Sequence, residues 1–185
     1  MLLRLYNPPL GTVYVDGHDI RTVSVESLRS VFGFVPQDSF LFSETISENI
    51  AFAVDDPEQD QVVRAAQIAA VHDNVVAFPQ GYKTVVGERG VTLSGGQKQR
   101  VSIARAIIQD PPVLLLDDSL SAVDTQTEAA ILDGVRSERS GRSNIIIAHR
   151  ISAIAHADEI LYLEDGHVVE RGRHEDLLRL GGRYR

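Results

Sequence analysis

Cysteine is absent from the 185-residue sequence, which excludes disulfide bonds, thiolate catalysis and cysteine-ligated metals. Lysine is nearly absent, since only Lys83 and Lys98 occur. No apolar run approaches the roughly 20 residues of a membrane-spanning helix, because candidates such as "PVLLLDD" soon meet carboxylates. The formal net charge of −8 argues against a nucleic-acid partner.

The start of the chain, "MLLRLYNPPLG", has a short apolar stretch that meets Asn7, Pro8 and Pro9 at once. It does not have the pattern of a secretory signal peptide, and a cytosolic location is predicted. Because no apolar run is long enough to span a bilayer, any membrane role would be played beside a separate membrane-spanning partner.

Strand and helix patterns alternate along the chain. "GTVYVDGHDI" predicts a hairpin turning at Asp16-Gly17, and "EILYLEDGHVVERG" predicts a second one at Asp165-Gly166. Three-residue and four-residue apolar spacings predict helix from about residue 47 to 77 and again from Ser94. "VFGFVPQ", "VLLLD" and "NIIIAH" read as strands. The last two, separated by a helix, predict parallel strands buried on both faces.

Polar residues follow these strands, at the edge where α/β proteins bind ligands. Asp117 and Asp118 end "VLLLDD", where carboxylates could hold hydrated Mg²⁺ or orient a water. The alternative is that both aspartates only cap the following helix. His149 ends "NIIIAH" and could act in catalysis or be a hydrogen-bonded residue of the sheet edge.

The string "LSGGQKQRVSIARAI" begins a helix. Ser94 is a good N-cap, and Gly95 and Gly96 would let backbone N–H groups approach an anion. A plain glycine-containing turn before an amphipathic helix would explain the same letters. The co-occurrence of this string with the "VLLLD" strand favours the functional interpretation.

Together these motifs resemble the nucleotide-binding domain of ABC transporters over essentially the whole chain. "LSGGQ" is similar to the family's signature motif, "VLLLD" to its Walker B strand and "SLSAVD" to its D-loop. Gln37 in "FVPQD" resembles the Q-loop glutamine, and His149 in "IIIAHR" the switch histidine. "DSFLFSETISENIAF" and "TVVGERG" resemble the exporter branch, of multidrug or lipid type, rather than the importers.

The resemblance implies a P-loop NTPase (RecA-like) α/β fold, with a mostly parallel sheet and an inserted helical subdomain at about residues 38–108. It implies ATP and Mg²⁺ as cofactors. Residues 1–185 would form one partial nucleotide-binding domain. The implied catalytic residues are Asp118, His149 and Gln37; the nucleotide-binding residues are Ser94, Gly95, Gly96, Gln97 and Asp124; the metal ligands are Asp117 and Gln37.

The family's Walker A loop, G-x-x-x-x-G-K-[ST], is not found, because Lys83 follows Tyr82 and Lys98 follows Gln97. In relatives this loop opens a helix that continues into a segment similar to "LLRLYNPPLGTVYVDG". The interpretation is a domain cut at an internal methionine and lacking the N-terminal strands. We expect poor ATP binding by the chain alone.

Asp118 is the second departure, because the family usually has Glu there to orient the attacking water. A carboxylate that is one methylene shorter is misplaced by about 1 Å, which can lower the rate about 10²-fold. In the resembling family, Asp at this position is typical of one half of heterodimeric exporters.

The implied partners are a second nucleotide-binding domain, which the signature would face, and transmembrane domains contacted through the Q-loop and the Glu88 region. Glu88 could equally be a solvated charge. The implied location is the cytoplasmic face of the membrane. Two other functions are open: a catalytically inactive dimerisation fragment, and a soluble ABC ATPase acting on DNA or the ribosome.

Overall fold

The computed structural model describes residues 1–87 and 91–185. The chain begins with a short hairpin and a helix, continues through a helical middle and ends in alternating strands and helices. In order, the elements are β1 (Tyr14–Val15), β2 (His18–Asp19), α1 (Val25–Ser30), β3 (Phe32–Val35), α2 (Ile46–Ala51), α3 (Gln59–Ile68), α4 (His72–Val76), a 3₁₀ turn (Gly81–Lys83), α5 (Gly95–Ile108), β4 (Val113–Asp117), α6 (Thr125–Glu138), β5 (Ser143–Ile147), α7 (Ile151–Ile154), β6 (Ile160–Glu164), β7 (His167–Gly172) and α8 (His174–Leu180).

The main sheet has the order β3-β4-β5, with both pairs parallel. Leu115 of β4 lies opposite Phe34 on one side and Ile145 on the other. The mixed α/β architecture with a parallel sheet confirms the predicted fold class. Because the strands run in the same direction, their carboxyl ends meet at one edge.

The predicted hairpins form where the Asp-Gly dipeptides stand. Asp16 and Gly17 have φ of 49° and 76°, and Asp165 and Gly166 have φ of 50° and 77°. Two consecutive residues with positive φ make the tight turn that matches the twist of antiparallel strands. β1 pairs with β2, and β6 pairs with β7.

The helical middle is three short helices rather than one long one. Thr45 caps α2 in a reciprocal pair with Glu48, and α3 ends before Ala70, whose φ is 52°. α5 packs against both α2 and α3. Their inward residues form one core, including Ile46, Ile50, Val62, Ala66 and Ile103, each at most 1% exposed.

The expected burial of both parallel strands on two faces holds for β4 only. Leu114 and Leu116 of β4 are fully buried, whereas Ile147 of β5 is 50% exposed. Within the described residues, β5 pairs with β4 alone, and its outer side borders a groove of about 810 Å³. A strand becomes buried on both faces only when other elements cover both, so the prediction for "NIIIAH" was wrong.

Candidate functional site at the carboxyl edge of the sheet

The carboxyl edge brings together three of the predicted site residues. Gln37 lies two residues beyond β3, Asp117 ends β4, and Asp118 follows it. The side-chain amide Nε2 of Gln37 donates a hydrogen bond to Oδ2 of Asp118, over 3.2 Å. Two residues that are 81 positions apart in sequence therefore meet at the place where ligands bind in α/β sheets.

Asp118 adopts a left-handed backbone conformation, with φ of 45°. Its N–H donates to the carbonyl oxygen of Ile147 over 2.8 Å, and its own carbonyl accepts from Oγ of Ser121 over 2.8 Å. Aspartate tolerates this conformation better than most residues do. These bonds turn the chain sharply as it leaves β4.

His149 follows β5 and is exposed to solvent. It lines a cavity of about 100 Å³ together with Asp118, Ser121 and Arg150. The structure thus places His149, Asp118 and Gln37 around one edge, as the parallel strands require. Their catalytic roles stay predictions.

The donor set at this edge suits Mg²⁺, which prefers carboxylate and amide oxygens. Gln37 uses its amide nitrogen toward Asp118, so its amide oxygen is the atom that could bind the cation beside Asp117. Across the described ranges, no three or more His, Asp or Glu side chains form a metal-binding group. Mg²⁺ would therefore take its other ligands from phosphate and water, as it commonly does.

The signature helix α5 has the N-terminus that its sequence predicts. Oγ of Ser94 accepts from the N–H of Gln97 over 3.3 Å, and Oε1 of Gln97 accepts from the N–H of Ser94 over 2.9 Å. This reciprocal pair satisfies two N–H groups at the helix start. A helix N-terminus can bind an anion such as phosphate. The signature residues do not line the cavity beside His149.

The two glycines of the signature have different surroundings. A Cβ on Gly96 would lie 2.8 Å from the carbonyl oxygen of Ala122, which is a clash. A Cβ on Gly95 would meet only the Cβ of Ala122, at 3.7 Å, which is ordinary contact. Contact with the chain's own D-loop therefore explains why residue 96 must be glycine. Gly95 has no such explanation, so it stays the better candidate for a residue that faces a ligand.

Asp124 is the N-cap of α6. Its Oδ1 accepts from the N–H of Thr127 over 2.9 Å, and its Oδ2 accepts from Oγ1 of Thr127 over 2.7 Å. The hydroxyl bond and then the backbone bond lower the pKa of this carboxyl below its ordinary value. The capping bonds account for Asp124 structurally, and its predicted contact with nucleotide stays a prediction.

The D-loop, residues 119–124, joins β4 to α6 and connects the edge with the signature helix. Oε1 of Gln99 in α5 accepts from the N–H of Ala122 over 3.0 Å, and Nε2 of Gln99 donates to Oγ of Ser121 over 3.4 Å. Sequence reasoning missed Gln99. It also missed Glu128, although the spacing of Glu128 with Ile131, Leu132 and Val135 puts this carboxylate on a buried stripe.

Glu88, expected to contact transmembrane domains, lies outside the described residues, together with Arg89 and Gly90. In the part of the chain that the structure describes, every helix is too short or too polar to cross a membrane.

The mixed α/β architecture, with a parallel sheet and polar site residues at its carboxyl edge, has the fold of a P-loop NTPase core. The family model described as "ABC transporter" matches residues 1–121. The chain therefore belongs to the ABC transporter family.

The similar proteins include an ATP-binding cassette protein and an ATM1-type exporter. ATP-binding cassette sub-family B member 6 of Homo sapiens is 49% identical over 184 residues, covering 100% of this chain and 22% of that protein. The ATM1-type heavy metal exporter of Novosphingobium aromaticivorans is 50% identical over 184 residues, covering 100% of this chain and 30% of that protein. This chain therefore spans less than a third of the length of these relatives.

A solved structure shows the same fold. The structure of a bacterial Atm1-family ABC exporter with ATP bound superimposes with a TM-score of 0.93 at 50% sequence identity. The match covers 99% of this chain and 32% of the other. The predicted resemblance to the exporter branch is thereby confirmed.

Proposed function

We propose that this chain is the ATP-binding and ATP-hydrolysing part that powers substrate export by an ABC transporter. The observation that carries the proposal is the hydrogen bond between Gln37 and Asp118 at the carboxyl edge, where Asp118 and His149 line one cavity. Gln37 and Asp117 would hold Mg²⁺, and the bound cation would neutralise charge on the ATP phosphates. Asp118 would hold the attacking water, and His149 would donate to the γ-phosphate.

The two groups of predicted site residues serve different nucleotides in this proposal. Residues 94–97 and Asp124 would close over ATP held by a second nucleotide-binding domain, because the signature residues do not line the edge cavity. The sequence contains no G-x-x-x-x-G-K-[ST] motif. ATP at the edge of this chain would therefore need a phosphate-binding loop from outside residues 1–185.

The remaining parts of the proposal concern organisation. Residues of about 38–108 would form the helical subdomain and the rest the RecA-like core. Transmembrane domains would be contacted near Gln37 and Glu88, at the cytoplasmic face of the membrane. The exporter names of the Novosphingobium relative and of the similar solved structure favour this organisation over a soluble ATPase acting on DNA or the ribosome.

The experiment is ATP-dependent association in trans. The 185-residue chain is mixed with the separately purified nucleotide-binding domain of the Novosphingobium exporter, and complex mass is measured by light scattering with and without Mg²⁺-ATP. We expect a heterodimer only with nucleotide, because the signature of this chain would face the partner's phosphates. No nucleotide-dependent complex would contradict the proposal.

Gly95→Glu is the matched variant. A Cβ added at residue 95 would make only ordinary contact with Ala122, so folding should be retained, and the new carboxylate would repel phosphate. We expect this variant to melt like the parent and to form no complex with ATP. Equal association of variant and parent would mean that the signature does not face the nucleotide.

We also propose that the site built on Asp118 turns over slowly, as in the degenerate half of a heterodimeric exporter. The support is the short Asp118 side chain, held by Gln37 at 3.2 Å. Asp118→Glu in a heterodimer whose Asp118-bearing half includes the phosphate-binding loop should raise the turnover of the Asp118 site by up to about 10²-fold. An unchanged rate would show that Asp118 is not what limits the site and would favour the inactive dimerisation fragment.

A further inference from the structure

Glu128 carries the most deeply buried carboxylate of the described chain, and the predicted mechanism does not use it. Its side chain is 2% exposed, on the stripe of α6 that faces the core. Its Oε2 accepts from Nη1 of Arg150 over 3.1 Å, and its Oε1 accepts from Oγ of Ser152 over 2.6 Å. A buried charge requires such partners, and Arg150 supplies the counter-charge.

The guanidinium of Arg150 makes two further hydrogen bonds. Both go to neutral backbone carbonyls, so they are not required for neutralising Glu128. Nη1 of Arg150 donates to the carbonyl oxygen of Val123 over 3.0 Å, and Nη2 donates to that of Ser121 over 2.9 Å. Both carbonyls belong to the D-loop. The planar guanidinium holds five N–H donors in a fixed fork, whereas an ammonium group offers three donors from one point at the end of a flexible stem.

The opposite side of the D-loop rests on the signature helix. Gln99 binds the N–H of Ala122 and the hydroxyl of Ser121, and the carbonyl of Ala122 fills the space left by Gly96. The D-loop is thus held between α5 and Arg150. Arg150 directly follows His149, so one backbone step separates the loop's anchor from the predicted γ-phosphate contact.

We propose that Arg150 is a positioning residue that fixes the D-loop relative to His149 and Asp118, beyond its role as the counter-ion of Glu128. A movement of His149 would pull the guanidinium and shift the carbonyls of Ser121 and Val123. That shift would reach the signature helix through Gln99. The importance of this coupling for ATP hydrolysis rests on the proposed function, whereas the coupling itself belongs to the chain alone.

The test separates the two roles of Arg150 in the full 185-residue chain, without nucleotide. Amide hydrogen exchange at residues 121–123 is compared with exchange in β4, and thermal unfolding is recorded alongside. Arg150→Met removes both roles and leaves a buried, unpaired carboxylate, so it should also lower the melting temperature. Arg150→Met with Glu128→Gln removes the carbonyl bonds but leaves no unpaired charge.

We expect the double variant to melt close to the parent while its D-loop amides exchange about tenfold faster or more. Exchange at the parental rate in the double variant would overturn the proposal, because Arg150 would then only neutralise Glu128. If Arg150→Met does not fold, the double variant decides alone.

Two further variants complete the set. Arg150→Lys keeps the charge without the fork, and it should leave D-loop exchange close to that of the double variant; full protection would contradict the proposal. Arg171→Met removes an arginine paired with Glu159 at the surface, and it should leave the D-loop unchanged. A change there would show that any lost arginine has the same effect, which also contradicts the proposal.

Discussion

The helical middle and the terminal strands of this chain bury apolar side chains to very different degrees. In α2–α5 the inward residues, such as Ile50 and Ile103, are fully buried. In β5–β7, Ile147, Leu161, Leu163, Val168 and Val169 are 45–64% exposed. The helices bury their inward faces in one core that they share with β3, β4 and α6, whereas the terminal strands leave apolar side chains exposed. Regions with fewer buried contacts open at lower free energy, so the two regions should differ in local stability.

The largest effect should come from matched isoleucine truncations in the two regions. Ile103→Ala removes a fully buried side chain from α5 and should lower the free energy of unfolding by about 2–5 kcal/mol. Ile147→Ala removes a half-exposed side chain from β5 and should cost less than about 1 kcal/mol. Urea unfolding of both variants measures the difference. If both variants lost the same free energy of unfolding, the two regions would not differ in how much their buried side chains stabilise the fold.

A smaller effect is expected where the helical middle meets the D-loop. Gly96→Ala would press its Cβ against the carbonyl oxygen of Ala122, which should cost about 1–3 kcal/mol. Gly95→Ala meets only ordinary contact and should change stability by less than about 0.5 kcal/mol. Thermal melts of the pair provide the measurement. If Gly96→Ala melts like the parent, the D-loop must move aside at little cost in free energy.

Variants at the N-terminus of α5 test how far the stability of the helical middle depends on local hydrogen bonds. Ser94→Ala removes the hydroxyl that accepts from the N–H of Gln97 and should cost about 1 kcal/mol in denaturant unfolding. Ser94→Thr keeps a capping hydroxyl and should recover most of the loss. If both variants lose the same amount, the cap is not what sets the stability of this helix.

The smallest effect concerns one histidine–tyrosine pair in each region. His72 bonds to Tyr82 beside α4, and His174 bonds to Tyr184 beside α8, each over 2.8 Å. Burial first, and then Asp73, raises the pKa of Tyr82 to about 12, and burial also raises the pKa of Tyr184. Because the unfolded phenol loses its proton near pH 10, this contribution to stability is complete below that value and disappears between pH 10 and about 12.

Absorbance titration of phenolate formation measures these values in the folded chain. Tyr82→Phe should remove a step near pH 12, while Tyr184→Phe should remove a different step and leave that one in place. A parental titration without any step above pH 11 would contradict the raised pKa of Tyr82.

Much of the fold could be predicted because short-range rules decide it. Asp-Gly turns, the capping serine at residue 94 and the apolar "VLLLD" run correspond to the observed hairpins, helix start and central strand. The helix predicted from about residue 47 to 77 was only partly right, because Ala70 and the segment before Gln59 leave the helical conformation.

The site was predicted less completely because its contacts join distant parts of the chain. The carboxyl-edge rule placed Asp117, Asp118 and His149 correctly relative to the sheet, and the family resemblance added Gln37. No local pattern revealed that Arg150 would reach Glu128 and two D-loop carbonyls, since each partner lies more than twenty residues away. The exposure of β5 was missed for a similar reason. The sequence of a strand does not determine how many other strands and helices will pack against it.

The outer edge of β5 has a consequence for handling the protein. Among the strands of the described residues, β5 has one neighbour, and a strand edge with unpaired backbone groups and an exposed isoleucine offers a template onto which another extended chain can hydrogen-bond. Concentrated solutions of the 185-residue chain should therefore self-associate through this edge, and intermolecular β-structure should grow with concentration in infrared spectra. A charged residue at position 147, as in Ile147→Lys, should keep the chain monomeric at concentrations where the parent self-associates.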